Sequence, residues 1–359
     1  MWDRLPACPE CNEGEQDLDG PRNRSPQDCG LLRHFRLSFA LLPSGTGWKP
    51  ILHCMNRRKF LQSLAAAAAA PAFAGREPAL PFRLRYVLSS ALYGEMPLDT
   101  ILPEVAKTGC EAIDIWCKVH GNQREQITGM GDDAFAALLA KHHVKLGLNT
   151  RYPLGPFKLQ DEMAWVKKFG GRMVLCGSTG PKDPEGDAAK EAVKKFLEDM
   201  KPHVAKAEEL GITIAIENHV GQAIYHPDSL RYFAEFNRSA NLGIAFAPHH
   251  LFRWAGEIPK LLRDLGAKQI PFMYFQEHSE GMTKKTTKEI EMQQLPGFGG
   301  PLDYRLVVKA LRDIGYTGYV EIFMHPTPRG IPILPTAAEI TAAINKSRAY
   351  VEKCIAETA

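Results

Sequence analysis

The stretch Ile212-Thr213-Ile214-Ala215-Ile216, followed at once by Glu217-Asn218-His219, decides the fold of this chain. A short, nearly continuous apolar run is typical of a β-strand that is buried on both faces, as in a parallel sheet. Residues 228–236 then show helical spacing of apolar side chains, with Asp228 at the start and Phe236 at the end. The stretch therefore reads as one β-then-α unit with polar residues at the end of the strand.

The same order of a short strand and a longer helix recurs eight times along the chain. The expected strands are 83–89, 111–117, 145–149, 172–176, 212–216, 242–246, 270–275 and 319–323, and the expected helices are 97–109, 132–143, 161–169, 188–210, 228–236, 258–265, 304–314 and 337–354. Eight units over residues 75–359 predict a single-domain (β/α)8 TIM barrel. An open doubly wound sheet is the alternative, but no Gly-rich dinucleotide fingerprint follows any expected strand.

Composition and charge exclude several classes of protein. The 359 residues are 45% hydrophobic and 24% charged, as in ordinary globular proteins. Lys and Arg number 44 against 41 Asp and Glu, a net charge of +3. Such a balance provides no field that would concentrate nucleic acid, and we expect no nucleic-acid partner.

The region before the barrel has the pattern of an export signal. From Met55 the chain reads Asn-Arg57-Arg58-Lys-Phe-Leu-Gln-Ser-Leu, then six consecutive alanines, then Pro71-Ala72-Phe73-Ala74. A basic region, a short apolar stretch and a small-x-small end form a secretory signal, which is too short for stable membrane insertion. The adjacent arginines resemble a twin-arginine signal, which predicts the export machinery as a partner and a periplasmic or exported location. A helical N-terminal arm is the alternative for residues 55–74.

Residues 1–54 precede this signal, although a signal must lie at the N-terminus to be recognised. We therefore expect translation to start at Met55 and residues 1–54 to be a non-native or disordered leader. The alternative is a zinc module around Cys8 and Cys11, but zinc ligands usually come as two closely spaced pairs and only one is present here.

Polar side chains interrupt the apolar runs where the expected strands end. In a barrel these positions surround the active site. They are Asp114, Trp116 and His120; Asn149 and Arg151; Ser178; Glu217, Asn218 and His219; His249 and His250; Gln276, Glu277 and His278; and Glu321 and His325. Charged groups are rarely fully buried unless they are paired or bound to a metal, so two glutamates and several histidines at one mouth predict a divalent cation.

Each of these residues also has an ordinary structural interpretation. Glu217 and Glu321 suit structural ion pairs as well as a functional site, and the presence of partners at the same level favours function. One of His249 and His250 is expected to be a helix-start or packing residue. Trp116 is equally a core aromatic residue or a platform for a sugar ring.

Four motifs together carry a family resemblance. They are Ile-Ala-Ile-Glu217-Asn-His219, Asn241-Leu-Gly-Ile-Ala-Phe-Ala247-Pro-His-His250, Gly299-Gly-Pro-Leu-Asp303-Tyr and Gly315-Tyr-Thr-Gly-Tyr-Val-Glu321-Ile. In this order they resemble the xylose isomerase-like sugar phosphate isomerase and epimerase superfamily, in its exported twin-arginine branch.

The resemblance implies one Mn, Mg, Co or Zn ion, held by Glu, Asp, His and Glu from four successive strands. Glu217 and Glu321 match the outer two positions and are the implied acid and base. The chain departs from the pattern in the middle, since Ala247 replaces the Asp and Gln276 replaces the His. We expect His250 and Gln276 to complete the metal site, and His219, His278, Asn149, Trp116 and His325 to bind substrate.

This arrangement implies an isomerase or epimerase that acts on an unphosphorylated sugar or keto sugar through an enediolate. A lyase or dehydratase acting on 3-keto glycosides is the alternative. Two other classes remain: a barrel endonuclease for abasic DNA, which the balanced charge disfavours, and a non-catalytic carbohydrate-binding barrel, which the missing Asp keeps open. Oligomeric state is left open.

Overall fold

The computed structural model describes residues 82–358, and the expected leader 1–54 and signal 55–74 lie outside this part of the chain. Eight parallel strands form a closed barrel in sequence order. They are β1 Arg85–Ser89, β2 Ala112–Trp116, β3 Leu146–Thr150, β4 Met173–Gly177, β5 Thr213–Glu217, β6 Leu242–Phe246, β7 Phe272–Phe275 and β8 Tyr319–Ile322.

Closure is made by β1 and β8, where Val87 pairs with Glu321. This pairing excludes an open doubly wound sheet, in which the edge strands have free edges, and confirms the predicted TIM barrel.

Helices follow the strands and cover the outside of the barrel. They are α1 Leu98–Lys107, α2 Gln123–Met130, α3 Asp132–His142, α4 Gln160–Lys168, α5 Gly186–Leu210, α6 Pro227–Phe236, α7 Ile258–Leu265, α8 Lys288–Met292, α9 Tyr304–Asp313 and α10 Ala337–Glu357. All eight expected helices are present, with ends that differ by a few residues. None of the helices in residues 82–358 has the length and apolar content needed to cross a bilayer.

Two helices, α2 and α8, were not predicted from the sequence. The residues of α2 read Gln-Arg-Glu-Gln-Ile-Thr-Gly-Met and bury only Gln123 and Ile127. Such a polar segment has no apolar stripe, and an apolar stripe is the main sequence signal for a helix. The helix α8 is a single short turn within the long connection from β7 to α9.

Alternation along each strand determines which side chains point into the barrel. In β3, the Thr150 hydroxyl donates to the Asp114 carboxylate of β2 inside the barrel, whereas Asn149 donates to Glu162 of α4 outside it. The strands run parallel, so residues at their carboxyl ends meet at one mouth.

Candidate functional site

Glu217 is the last residue of β5 and lies at the mouth of the barrel. Its side chain is 4% exposed and also lines the pocket at the mouth. Removal of the carboxylate from water raises its pKa to about 7, and the neighbouring His219 opposes this shift only in part. Glu217 is thus a buried carboxylate whose charge is sensitive to its neighbours near neutral pH.

Asn218, the next residue, ties the end of β5 to the end of β6. Its amide nitrogen donates to the Ala247 carbonyl at 3.0 Å, and its carbonyl oxygen accepts from the Ala247 backbone N–H at 2.7 Å. The chain then turns into a 3-10 segment, Pro248–Glu257, whose first turn contains His249 and His250. The Asn218 side chain therefore sets where the two histidines stand relative to Glu217.

Glu217, His249 and His250 form a buried cluster, in which one ligand atom of each lies within 4.8 Å of the others. Oε1 of Glu217 is 3.2 Å from Nε2 of His250 and 3.9 Å from Nε2 of His249. Neither contact is a hydrogen bond, and both ring nitrogens of His249 and Nε2 of His250 are buried without a partner. Unsatisfied buried nitrogens beside a carboxylate are the donors that zinc and similar dications prefer, so these residues fit a divalent ion.

Burial keeps the histidines of this cluster uncharged, as metal ligation requires. Desolvation lowers the pKa of His250 to about 3, with further contributions from His278 and Arg329. Desolvation and the neighbouring His250 also hold the pKa of His249 well below its usual value. Both histidines face Glu217, so position alone does not mark either one as the expected packing residue.

Glu321 is not part of this three-residue cluster and does not line the cavity, so the structure does not bring the four expected ligands together in one group. Glu321 is fully buried inside the barrel, where desolvation and the carboxylate of Asp114 raise its pKa well above the usual value. Two residues nearer the mouth, on the same faces of β2 and β8, Trp116 and Phe323 stack with ring centroids 4.7 Å apart. Sequence spacing placed Glu321 at the mouth, but strand alternation puts Phe323 there and Glu321 one layer deeper.

Gln276 follows β7, and its amide nitrogen donates to Gln294 at 2.9 Å. Its carbonyl oxygen is buried without a partner. Gln276 thus keeps a free oxygen, and its role as a metal ligand stays a prediction.

A cavity of about 320 Å³ opens at the mouth beside Glu217. Of the expected substrate-binding residues, Trp116, His219 and His325 line it. The remaining lining residues are Lys118, Val119, His120, Tyr152 and Pro153. Tyr152 was not anticipated, since it lies in a loop beyond β3 and carries no strand-end signal; its hydroxyl is buried without a partner.

Two expected substrate-binding residues do not line the cavity. Asn149 points outward, where its amide bonds to Glu162 of α4. His278 stacks on Phe252 at a centroid distance of 3.9 Å. The structure therefore removes Asn149 and His278 from the cavity and adds Tyr152 and His120.

The fold and this mouth define a TIM barrel with polar residues at the carboxyl ends of its strands. Residues 102–349, more than half of the chain, match the xylose isomerase-like TIM barrel family. The chain belongs to this family, which confirms the resemblance at that level.

Solved structures share the fold at low sequence identity. The IOLI protein, solved with a bound zinc atom, is 17% identical, with a TM-score of 0.58 over 75% of this chain and 99% of its own. A D-tagatose 3-epimerase-like protein is 17% identical, with a TM-score of 0.55 over 77% of this chain and 100% of its own. The probable 3-DHS dehydratase AsbF of Bacillus anthracis is 13% identical, with a TM-score of 0.55 over 74% of this chain and 98% of its own. No curated protein matches the chain by sequence.

Proposed function

We propose that the protein is a sugar isomerase or epimerase that uses Glu217 to move a proton at the carbon beside a carbonyl group. The observation that supports it best is the position of Glu217, which lines the cavity and also belongs to the cluster with His249 and His250. Structural neighbours that are epimerases or a dehydratase agree with this class of chemistry.

Glu217 has the properties of a general base. Its carboxylate lines the cavity and is removed from water, and a poorly solvated carboxylate accepts a proton more readily than a free one. Glu217, His249 and His250, with Gln276 as a further oxygen donor, would hold a divalent ion, which would supply positive charge to stabilise the oxyanion of a deprotonated sugar. The chain itself binds the sugar, excludes water and carries the proton on the Glu217 carboxylate.

The lining of the cavity favours an unphosphorylated substrate. Lys118 is the one permanently charged cation among its lining residues, and sugar phosphates are usually held by several Arg, Lys or backbone N–H donors. Trp116 and Tyr152 add aromatic surface to the cavity wall. Aromatic faces with a few polar groups match the alternating faces of a sugar ring.

A non-catalytic carbohydrate-binding barrel is the second candidate. Glu321 lies below the Trp116–Phe323 stack, so Glu217 is the one carboxylate among the residues that line the cavity. A cavity without a second carboxylate lacks the expected acid and base pair, which favours binding without catalysis. Loss of a β-substituent from the same deprotonated sugar makes a lyase or dehydratase the alternative within the enzymatic reading.

The test compares the unmodified protein with Glu217→Gln and Glu321→Gln. Free sugars, keto sugars and 3-keto glycosides are incubated in deuterated water with Mn²⁺, Co²⁺ or Zn²⁺, and exchange of the proton beside the carbonyl is followed by NMR. We expect Glu217→Gln to lower exchange by about 100-fold or more, because the amide cannot accept the proton, and to weaken metal binding. Glu321→Gln is the matched control and should retain both. Exchange that is absent in the unmodified protein, or unaffected in Glu217→Gln, contradicts the proposal.

A further inference from the structure

Two histidines of the cavity wall, His120 and His325, are joined through their rings. His120 belongs to the connection between β2 and α2, and His325 lies three residues beyond β8. Their Nδ1 atoms are 3.3 Å apart. Both rings line the cavity that Glu217 also lines.

The pair is held in place by its surroundings. His120 packs edge-on against Trp116 at 5.3 Å, and His325 packs edge-on against Phe323 at 4.7 Å. Gln294 clamps the His325 backbone, because its amide oxygen accepts from the His325 N–H and its amide nitrogen donates to the His325 carbonyl, both at 2.9 Å. Such a clamp fixes the position of a ring without using its nitrogens.

The contact between the two rings correlates their tautomers. A hydrogen bond between two Nδ1 atoms needs a proton on one of them and a bare nitrogen on the other. In a neutral imidazole, the ring that carries its proton on Nδ1 has a bare Nε2, and the other ring carries its proton on Nε2. The neutral pair therefore presents one acceptor and one donor at its two outer nitrogens.

The surroundings keep His120 neutral. Burial, together with the positive charge of Arg329 and the proximity of His219, lowers the pKa of His120 to about 3. His325 packs beside it, with ring centroids 4.8 Å apart. Charging His120 would cost desolvation free energy and repulsion from Arg329.

We propose that His120 and His325 form a proton relay between two neighbouring sugar oxygens, so that the site interconverts a ketose and an aldose. The inference rests on the proposed function and names its reaction. The outer nitrogen of one ring takes the proton of a sugar hydroxyl, the shared proton moves between the two Nδ1 atoms, and the other ring releases its outer proton to the former carbonyl oxygen. One O–H bond breaks and one forms, while Glu217 carries the proton from one carbon to the next.

The relay leaves the total charge unchanged. After one turnover the two tautomers are exchanged, which suits the reverse reaction, and proton exchange with water restores the starting arrangement. A simple epimerisation needs no such transfer, because its carbonyl oxygen is the same before and after the reaction. The relay thus favours isomerisation over epimerisation.

The test uses the full chain with His120→Asn, His325→Asn and the double variant, and follows two processes in the same sample. Fructose, psicose, tagatose and sorbose are incubated in deuterated water with Mn²⁺, and NMR records both deuterium uptake beside the carbonyl and formation of the aldose. We expect each single variant to lose about 100-fold or more in aldose formation and far less in deuterium uptake, so that the ratio of aldose formed to deuterium taken up falls by about 10-fold or more. The double variant should lose no more than either single variant, because the relay needs both rings.

Tyr152→Phe is the control for a general loss of sugar binding, and should lower both processes together. Thermal unfolding and near-ultraviolet circular dichroism check the fold of each variant. Equal losses of uptake and aldose formation in the histidine variants, or no loss of either, overturn the relay. Deuterium uptake by the unmodified protein with only an epimer as product overturns the relay alone, whereas absence of uptake overturns the proposed function and the relay with it.

Discussion

At the scale of single residues, desolvation explains most of the shifted pKa values at the mouth of the barrel. Burial disfavours the charged form of every ionisable group, so it raises the pKa of carboxyls and lowers that of imidazoles. Glu217 is thereby shifted to about 7, and His219 to about 4. The same cause disfavours the charged form of Glu217 and keeps the neighbouring His219 neutral.

Burial also raises the pKa values of Asp114 and Glu321, a pair of carboxyls that does not line the cavity. Desolvation raises the pKa of Asp114 to about 7, although Thr150 donates a hydrogen bond to its carboxylate. Because the two carboxyls are close neighbours, ionisation of one opposes ionisation of the other. The pair is therefore stable with at least one proton and is strained when both groups are charged.

We expect this pair to make the protein less stable as pH rises. The folded pKa of Asp114 lies above its unfolded value, so the folded state binds more protons and the free energy of unfolding falls between about pH 4 and about pH 7. Asp114→Asn keeps an acceptor for Thr150 and removes the charge. Urea denaturation should show a shallower fall over this range, and a gain of about 2 kcal/mol at pH 8. A variant that follows the pH dependence of the unmodified protein would contradict this role for Asp114.

At the scale of secondary structure elements, the connections after the strands carry the site. The 3-10 segment Pro248–Glu257 brings two histidines to Glu217, and the β7–α9 connection contributes Gln294, which bonds both Gln276 and His325. Loops on a rigid scaffold commonly hold functional residues. The helices mainly provide that scaffold, and their ends are defined by local capping.

The last helix, α10, begins with a capping box. The Thr336 hydroxyl accepts from the Glu339 backbone N–H at 3.2 Å, and the Glu339 carboxylate accepts from the Thr336 N–H at 2.9 Å. Thr336→Ala leaves backbone donors unsatisfied and should lower the free energy of unfolding by about 1 kcal/mol. Thr336→Ser is the control and should cost much less. Equal stability of the two variants in urea denaturation would show that the box contributes little.

At the scale of the whole molecule, closure of the barrel decides which residues meet. Glu217, His120 and His325 come from three distant parts of the sequence and line one cavity because parallel strands end at the same mouth.

The N-terminal region yields a prediction about the protein as a whole. We expect residues 1–54 to be dispensable and the mature chain to begin near Gly75, because the twin-arginine pattern starts at Met55. A chain expressed from Met55 should be exported, and Arg57→Lys with Arg58→Lys should block its export. N-terminal sequencing of periplasmic protein checks this, and a mature chain that begins upstream of Met55 would refute it.

The sequence by itself determined the eight β/α units and most of the polar residues at the mouth. Apolar periodicity and strand ends are local properties, so β6 and α7 were predicted with the bounds that the structure shows. Glu217 was identified for the same reason, as the polar residue that ends a buried run.

Only the tertiary structure decided the depth and direction of each side chain. Glu321 and Asn149 both follow apolar runs, yet one lies below an aromatic stack and the other faces a helix. A shift of one residue along a strand moves a side chain to the other face, and a shift of two residues moves it to the next layer. The pattern of apolar residues does not locate the end of a strand to within one or two residues, so it does not decide which side chain lies at the mouth. The pairing of His120 with His325, 205 positions apart in the chain, likewise exists only because β2 and β8 end at the same mouth.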